Sequence, residues 1–172
     1  MVKKIVGTGV LLVLALALQA GVKMYTLKSP DGKVKLEVTA GQGIAYSLFY
    51  DGRLLLKPSR IALHTDLPEA DHWENIRITG TKQRHVSETV QAPFYRVKEF
   101  GIDCNELELR LNNGFSLLMR AYNDGMAYRF VAGRKGEMTV VEERAEFNFA
   151  DDFEAYIPYS TNPKDPWNMA FQ

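Results

Sequence analysis

The 172-residue chain carries 21 Lys and Arg against 21 Asp and Glu, so its formal net charge at pH 7 is zero. With no excess of positive charge and no basic stripe interleaved with aromatics, the sequence offers nucleic acid no electrostatic footprint. The length suits one ordinary domain rather than two large ones, and the sole cysteine, Cys104, cannot close an intramolecular disulfide.

Residues 1–20 read as a signal peptide: Lys3 and Lys4 precede an apolar run from Val10 to Leu18, and small residues follow at Ala20 and Gly21. That run is well short of the ~20 residues a membrane-spanning helix needs, so the expectation is export, cleavage near Ala20 and a periplasmic or secreted protein with no membrane association afterwards. Behind the leader, turn signals separate short alternating runs, and no stretch shows a helical period. Ser29-Pro30-Asp31-Gly32 is a turn, and Val34, Leu36 and Val38 then alternate with Lys33, Lys35 and Glu37 in a half-buried strand. Two strands, Ile44 to Tyr50 and Arg53 to Leu56, flank an Asp51-Gly52 hairpin turn that Lys57-Pro58-Ser59 brings to an end. Ile61 to His64 reads as a short strand, Thr65 to Glu74 as a loop, and Phe94 to Phe100 alternates weakly. Leu107, Leu109 and Leu111 alternate strictly with Glu106, Glu108 and Arg110, and the chain turns at Asn112-Asn113-Gly114.

The next stretch, from Phe115 to Val131, reads as the hairpin around which the sheet is organised. Taking Asp124 and Gly125 as a two-residue type I′ loop pairs Ala121 with Tyr128 and Met119 with Phe130 on the core face, and sets Arg120 against Arg129 on the other. Two opposed like charges repel, so Arg120 and Arg129 are expected to share an acidic partner from a neighbouring strand, with Glu108, Glu142 and Glu143 as candidates. Met138 to Val141, Ala145 to Phe149 and Phe153 to Ile157 are further candidate strands. This succession predicts an all-β, antiparallel β-sandwich over residues 21–157, followed by a proline-rich connector over residues 158–172.

Residues with chemical capacity are scattered. No nucleophile elbow, phosphate-binding glycine loop or zinc spacing occurs, and His64, His72 and His85 sit at no metal-ligand interval. The carboxylates Glu142, Glu143, Asp151, Asp152 and Glu154 suit a hard-cation site, an acid/base pair or a solvated strand end. Trp73 and Trp167 suit either packing or stacking on a sugar ring.

Four segments resemble one known family: SPDGKVKLEV at 29–38, YDGRLLLKPSRIAL at 50–63, RAYNDGMAYRF at 120–130 and YSTNPKDPWNMAFQ at 159–172. They are similar, in order and spacing, to the N-terminal domain of glycoside hydrolase family 97, the exported α-glucosidases and α-galactosidases typical of Bacteroidetes. The resemblance implies a supersandwich-like β-domain that packs against a C-terminal catalytic (β/α)8 barrel, shapes its active-site rim, and is not catalytic alone. It also implies an α-linked oligosaccharide as substrate and calcium in the complete enzyme. The family's calcium-ligating glutamate falls at Gln172 here, an amide that offers an oxygen but no charge, and Trp167 becomes the candidate substrate contact. The residues alone leave a free-standing carbohydrate-binding module and a purely structural sandwich as alternatives.

Overall fold

The computed structural model describes residues 23–94 and 96–154. They form nine strands and, among the described residues, no helix: β1 (Met24–Lys28), β2 (Val34–Gly41), β3 (Gly43–Tyr50), β4 (Arg53–Thr65), β5 (Ile78–Gln91), β6 (Glu99–Leu111), β7 (Phe115–Tyr122), β8 (Gly125–Ala132) and β9 (Val140–Ala145). One sheet has the order β1-β2-β3-β4-β9 and the other β5-β6-β7-β8, with every neighbouring pair antiparallel. The expected antiparallel β-sandwich is thus the observed fold.

Strict alternation places the core. Leu36, Val38, Ile44, Tyr46 and Ile61 of the first sheet face Leu107, Leu109, Leu117, Met119 and Ala121 of the second, and each is at most 1% exposed. Residues 66–77 cross one end of this core and plug it with Ala70, Trp73 and Ile76. Trp73 packs edge-on against Phe130, with ring centroids 5.2 Å apart, and donates from its indole nitrogen to the Leu63 carbonyl at 3.1 Å. It is therefore a packing residue.

The Asp51-Gly52 turn is as expected: Tyr50 pairs with Arg53, and both turn residues have positive φ, 48° and 80°. The strand after it does not stop at Pro58. β4 continues to Thr65, and Pro58 sits where the register with β3 shifts between Tyr46 and Leu48, a bulge at which its missing N–H breaks no ladder bond. The second sheet is longer than its alternation shows. β5 and β6 pair from Gly80 opposite Arg110 to Gln91 opposite Glu99, whereas β7 follows β6 only as far as Asn105, so the far halves of β5 and β6 project as a two-stranded ribbon. Both faces of that ribbon meet solvent, which erases the period-2 signal, and Phe94 at its tip is 98% exposed. Near the end of the described chain, β9 replaces the two strands expected around it, and Phe149 makes an isolated bridge to Leu56.

Candidate functional site

The organising hairpin forms, but two residues out of the expected register. Tyr122 pairs with Gly125, so the loop is Asn123-Asp124, and Asp124 and Gly125 do not adopt the positive φ of a type I′ turn. Because the shift is an even number of residues, the faces are unchanged: Met119, Ala121, Tyr128 and Phe130 still point inward. The pairs differ, however. Arg120 lies opposite Ala127 and Arg129 opposite Leu118, so the two arginines are not opposed. A tertiary contact accompanies the choice: the Asn123 side-chain oxygen accepts from the Asp31 amide at 3.0 Å, tying this loop to the β1–β2 turn.

Arg120 and Arg129 do share the outward face of the second sheet, as expected, but they share no acid. The partner of Arg120 is Glu106, directly across on β6, at 2.7 Å, and on the other side Arg84 of β5 donates to the same carboxylate at 2.7 Å. The Glu106 side chain is 5% exposed, against 24% for Arg120 and 53% for Arg84. Burial alone raises the Glu106 carboxyl, yet hydrogen bonds from Arg84 and Arg120 outweigh it and hold the group below the usual carboxylate range. Hydrogen bonds with Tyr122 and Glu106 keep the Arg120 guanidinium more firmly charged than usual. Of the three acids expected here, Glu108 accepts from Ser116, Glu143 accepts from Tyr128 and the Glu142 side chain has no hydrogen-bond or ionic partner among the described residues, so none of them bonds an arginine. Arg129 is exposed and has no hydrogen-bond or ionic partner among the described residues.

A broad concavity lies elsewhere, on the outward side of the first sheet: an open groove of about 1580 Å³ bounded by the β2–β3 turn, the middle of β4, residues 71–77 and residues 146–148. Its walls are pinned to the sandwich by hydrogen bonds. Ile76 N–H donates to the Gly41 carbonyl at 2.9 Å, Arg77 N–H to the Asn112 side chain at 2.9 Å, Arg60 N–H to the Glu146 carboxylate at 3.0 Å, and the Asn148 amide to the Pro58 carbonyl at 2.9 Å. His64 and Asp71, 2.7 Å apart, join β4 to the loop. The Arg60 amide and Arg144 both bond the Glu146 carboxylate and keep it below the usual carboxylate range. No sequence motif marked this groove, because its residues come from five separated stretches that only the fold assembles.

Trp167 and Gln172, the residues the resemblance implies for substrate and calcium, lie outside the described residues, as do the leader and the connector. Among the described residues no group of three or more His, Cys, Asp or Glu side chains is close enough to hold a metal ion. Nor, among them, is any helix long and apolar enough to cross a membrane.

Residues 27–169 match the family model for the glycosyl-hydrolase 97 N-terminal region. The chain belongs to that family. As a family 97 N-terminal domain it is 40% identical over 151 residues to a retaining α-galactosidase of Bacteroides thetaiotaomicron, covering 87% of this chain and 22% of that protein. It is 26% identical over 132 residues to a probable retaining α-galactosidase of Streptomyces bingchenggensis, covering 74% and 20%. The family 97 domain thus spans about a fifth of the length of the curated relatives it matches. Its fold is shared with a glycoside hydrolase family 97 enzyme of Pseudoalteromonas sp. strain K8 solved in complex with panose, at a TM-score of 0.62, 18% identity and coverage of 74% and 20%. A β-arabinopyranosidase structure matches at a TM-score of 0.64 and 25% identity, covering 73% and 21%.

Proposed function

We propose that this chain is the accessory domain of an exported α-glycoside hydrolase, and that it shapes the active-site rim of a catalytic (β/α)8 barrel following it in the same polypeptide. The observation that carries this reading is the match to about a fifth of a much longer α-galactosidase at 40% identity. Glycoside hydrolysis needs two carboxyl groups set ~5–10 Å apart across the scissile bond. Several acids of the described domain are instead paired with bases: Glu106 lies between two arginines, Glu146 is held by Arg144, and Asp71 faces His64. Its part is to position and to enclose rather than to transfer protons. The calcium implied by the resemblance would take its carboxylate ligands from the barrel, with the Gln172 amide as the contribution from this side.

Expression of the reading frame with and without residues 23–154, assayed on α-galactosides and α-glucosides, tests the proposal. The full polypeptide should hydrolyse one of them, and the chain alone neither. Hydrolysis by the chain alone would overturn the accessory role, and so would full activity in a polypeptide lacking the sandwich.

A further inference from the structure

Six polar side chains project into the groove on the first sheet without a hydrogen-bond or ionic partner among the described residues: Gln42, Arg60, His72, Glu74, Asn75 and Arg77. The backbone segments that carry them are not loose. The main chain at Arg60, Ile76 and Arg77 is fixed by the bonds to Glu146, Gly41 and Asn112, and Asn75 accepts from the Asn112 amide at 3.3 Å. The result is a pre-formed trough whose frame is satisfied internally and whose unused donors and acceptors face the solvent space.

The composition of that free set discriminates among ligands. Two guanidiniums work against a cation, while Glu74, Asp71 and Glu146 on the same walls work against a phosphate or sulfate. Amides, guanidiniums, an imidazole and a carboxylate together match a neutral ligand rich in both donors and acceptors, as the hydroxyls of a sugar are. Size narrows the choice further. A pocket for one small molecule occupies ~300–1,000 Å³, and this groove is larger, at about 1580 Å³, and open along its length. Trp73, at 6% exposed, is buried beneath it, so among the described residues no tryptophan, tyrosine or phenylalanine ring forms a platform in the trough and its ligand contacts are hydrogen bonds.

We propose that this groove is a binding site for a neutral oligosaccharide chain several units long, contacted by Gln42, Arg60, Asn75 and Arg77. The choice of an α-linked probe rests on the reading of the domain as part of an α-glycosidase; the site itself does not. Because exposed hydrogen bonds to water are exchanged for hydrogen bonds to sugar, each contributes little, and affinity in the millimolar range is expected.

The test is a heteronuclear NMR titration of the chain with maltoheptaose, with inorganic phosphate as a charged control. Maltoheptaose should give saturable shifts at the Gln42, Asn75 and Arg77 amides and the Arg60 side chain, and phosphate should not displace it. The double variant Arg60→Ala/Arg77→Ala removes two exposed side chains that support no other described residue, and its spectrum outside the groove should match the wild type. In it, binding should weaken by about tenfold, the equivalent of two modest hydrogen bonds. The proposal is overturned by an absence of shifts at 50-fold the expected millimolar midpoint, by shifts centred elsewhere, by an unweakened double variant, or by phosphate competing at the groove. None of these outcomes depends on whether a barrel is present, so failure here leaves the accessory role standing, and failure of that role leaves the groove's binding intact.

Discussion

Glu106 shows how much one buried carboxylate constrains its neighbours. It sits on the outward face of a sheet, where a strand position is ordinarily solvated, yet it is closed over by Arg84, Arg120 and their alkyl stems. Removing the carboxylate leaves two arginine side chains that are 53% and 24% exposed and can turn to water, so Glu106→Ala should lower stability by about 1.5–3 kcal/mol. Arg120→Met removes one of two partners and should cost about 2 kcal/mol, whereas Arg129→Met, at an exposed and unpaired position, should stay within about 0.5 kcal/mol. Urea unfolding of the three variants measures these directly, and a costly Arg129→Met with a neutral Arg120→Met would contradict the observed pairing. The same carboxyl sets an acid limit. Its folded pKa is depressed, so its stabilisation is present above the unfolded value near 4.5 and is lost as pH falls through the folded value. At the opposite end of the pH scale, burial and then the Glu143 carboxylate push the Tyr128 phenol up to about 12 from 10. Its stabilisation is complete below pH 10 and drains away between 10 and 12, so Tyr128→Phe should move the midpoint of alkaline unfolding upward. An unchanged alkaline midpoint would show that the phenol is not held neutral by the fold.

Two hairpins with the same Asp-Gly pair behave differently as elements, and the difference is measurable. Gly52 occupies the left-handed region at φ 80°, and a Cβ there would touch nothing, so Gly52→Ala carries a purely conformational cost of about 1–2 kcal/mol. Gly125 has no positive φ and open space at its Cβ, so Gly125→Ala should be neutral or slightly stabilising. Comparison of the two thermal midpoints decides whether the β7–β8 loop is Asn123-Asp124, and equal losses would restore the loop at Asp124-Gly125. Local turn chemistry favours both loops. What separates them is the long-range bond from the Asp31 amide to the Asn123 side chain, which does not lie within the hairpin.

Across the whole molecule, order is graded from the β6–β7 centre outward. Leu107, Leu109, Leu117 and Met119 are at most 1% exposed and are packed from both sheets, whereas β9 is exposed at every residue and the β5–β6 ribbon has no third strand beside its far half. Leu117→Ala should therefore cost about 2–5 kcal/mol, and Phe94→Asp at the ribbon tip should leave stability unchanged. Hydrogen exchange should follow the same order, slowest in β6 and β7 and fastest in β9 and the ribbon. Uniform protection across the nine strands would contradict it.

The antiparallel class, the inward face of β2, β6 and β7, and the Asp51-Gly52 turn were all legible in the chain, because period-2 alternation and positive-φ turn chemistry are local properties that half-buried strands and tight hairpins cannot do without. The family resemblance was legible for a related reason, since the three of its segments among the described residues, 29–38, 50–63 and 120–130, each hold a turn and an adjoining strand. Where alternation is lost, so is the signal: the β5–β6 ribbon is solvated on both faces, and β4 runs through Pro58 by means of a bulge that no local rule announces. The partner of Arg120 and the groove were decided by the tertiary structure alone. Glu106 was one of several acids at equivalent alternating positions, and only strand pairing sets it between Arg84 and Arg120. The groove draws Arg60, Asp71, Arg77, Asn112 and Glu146 from stretches up to 86 residues apart, brought together when the two sheets close over one core.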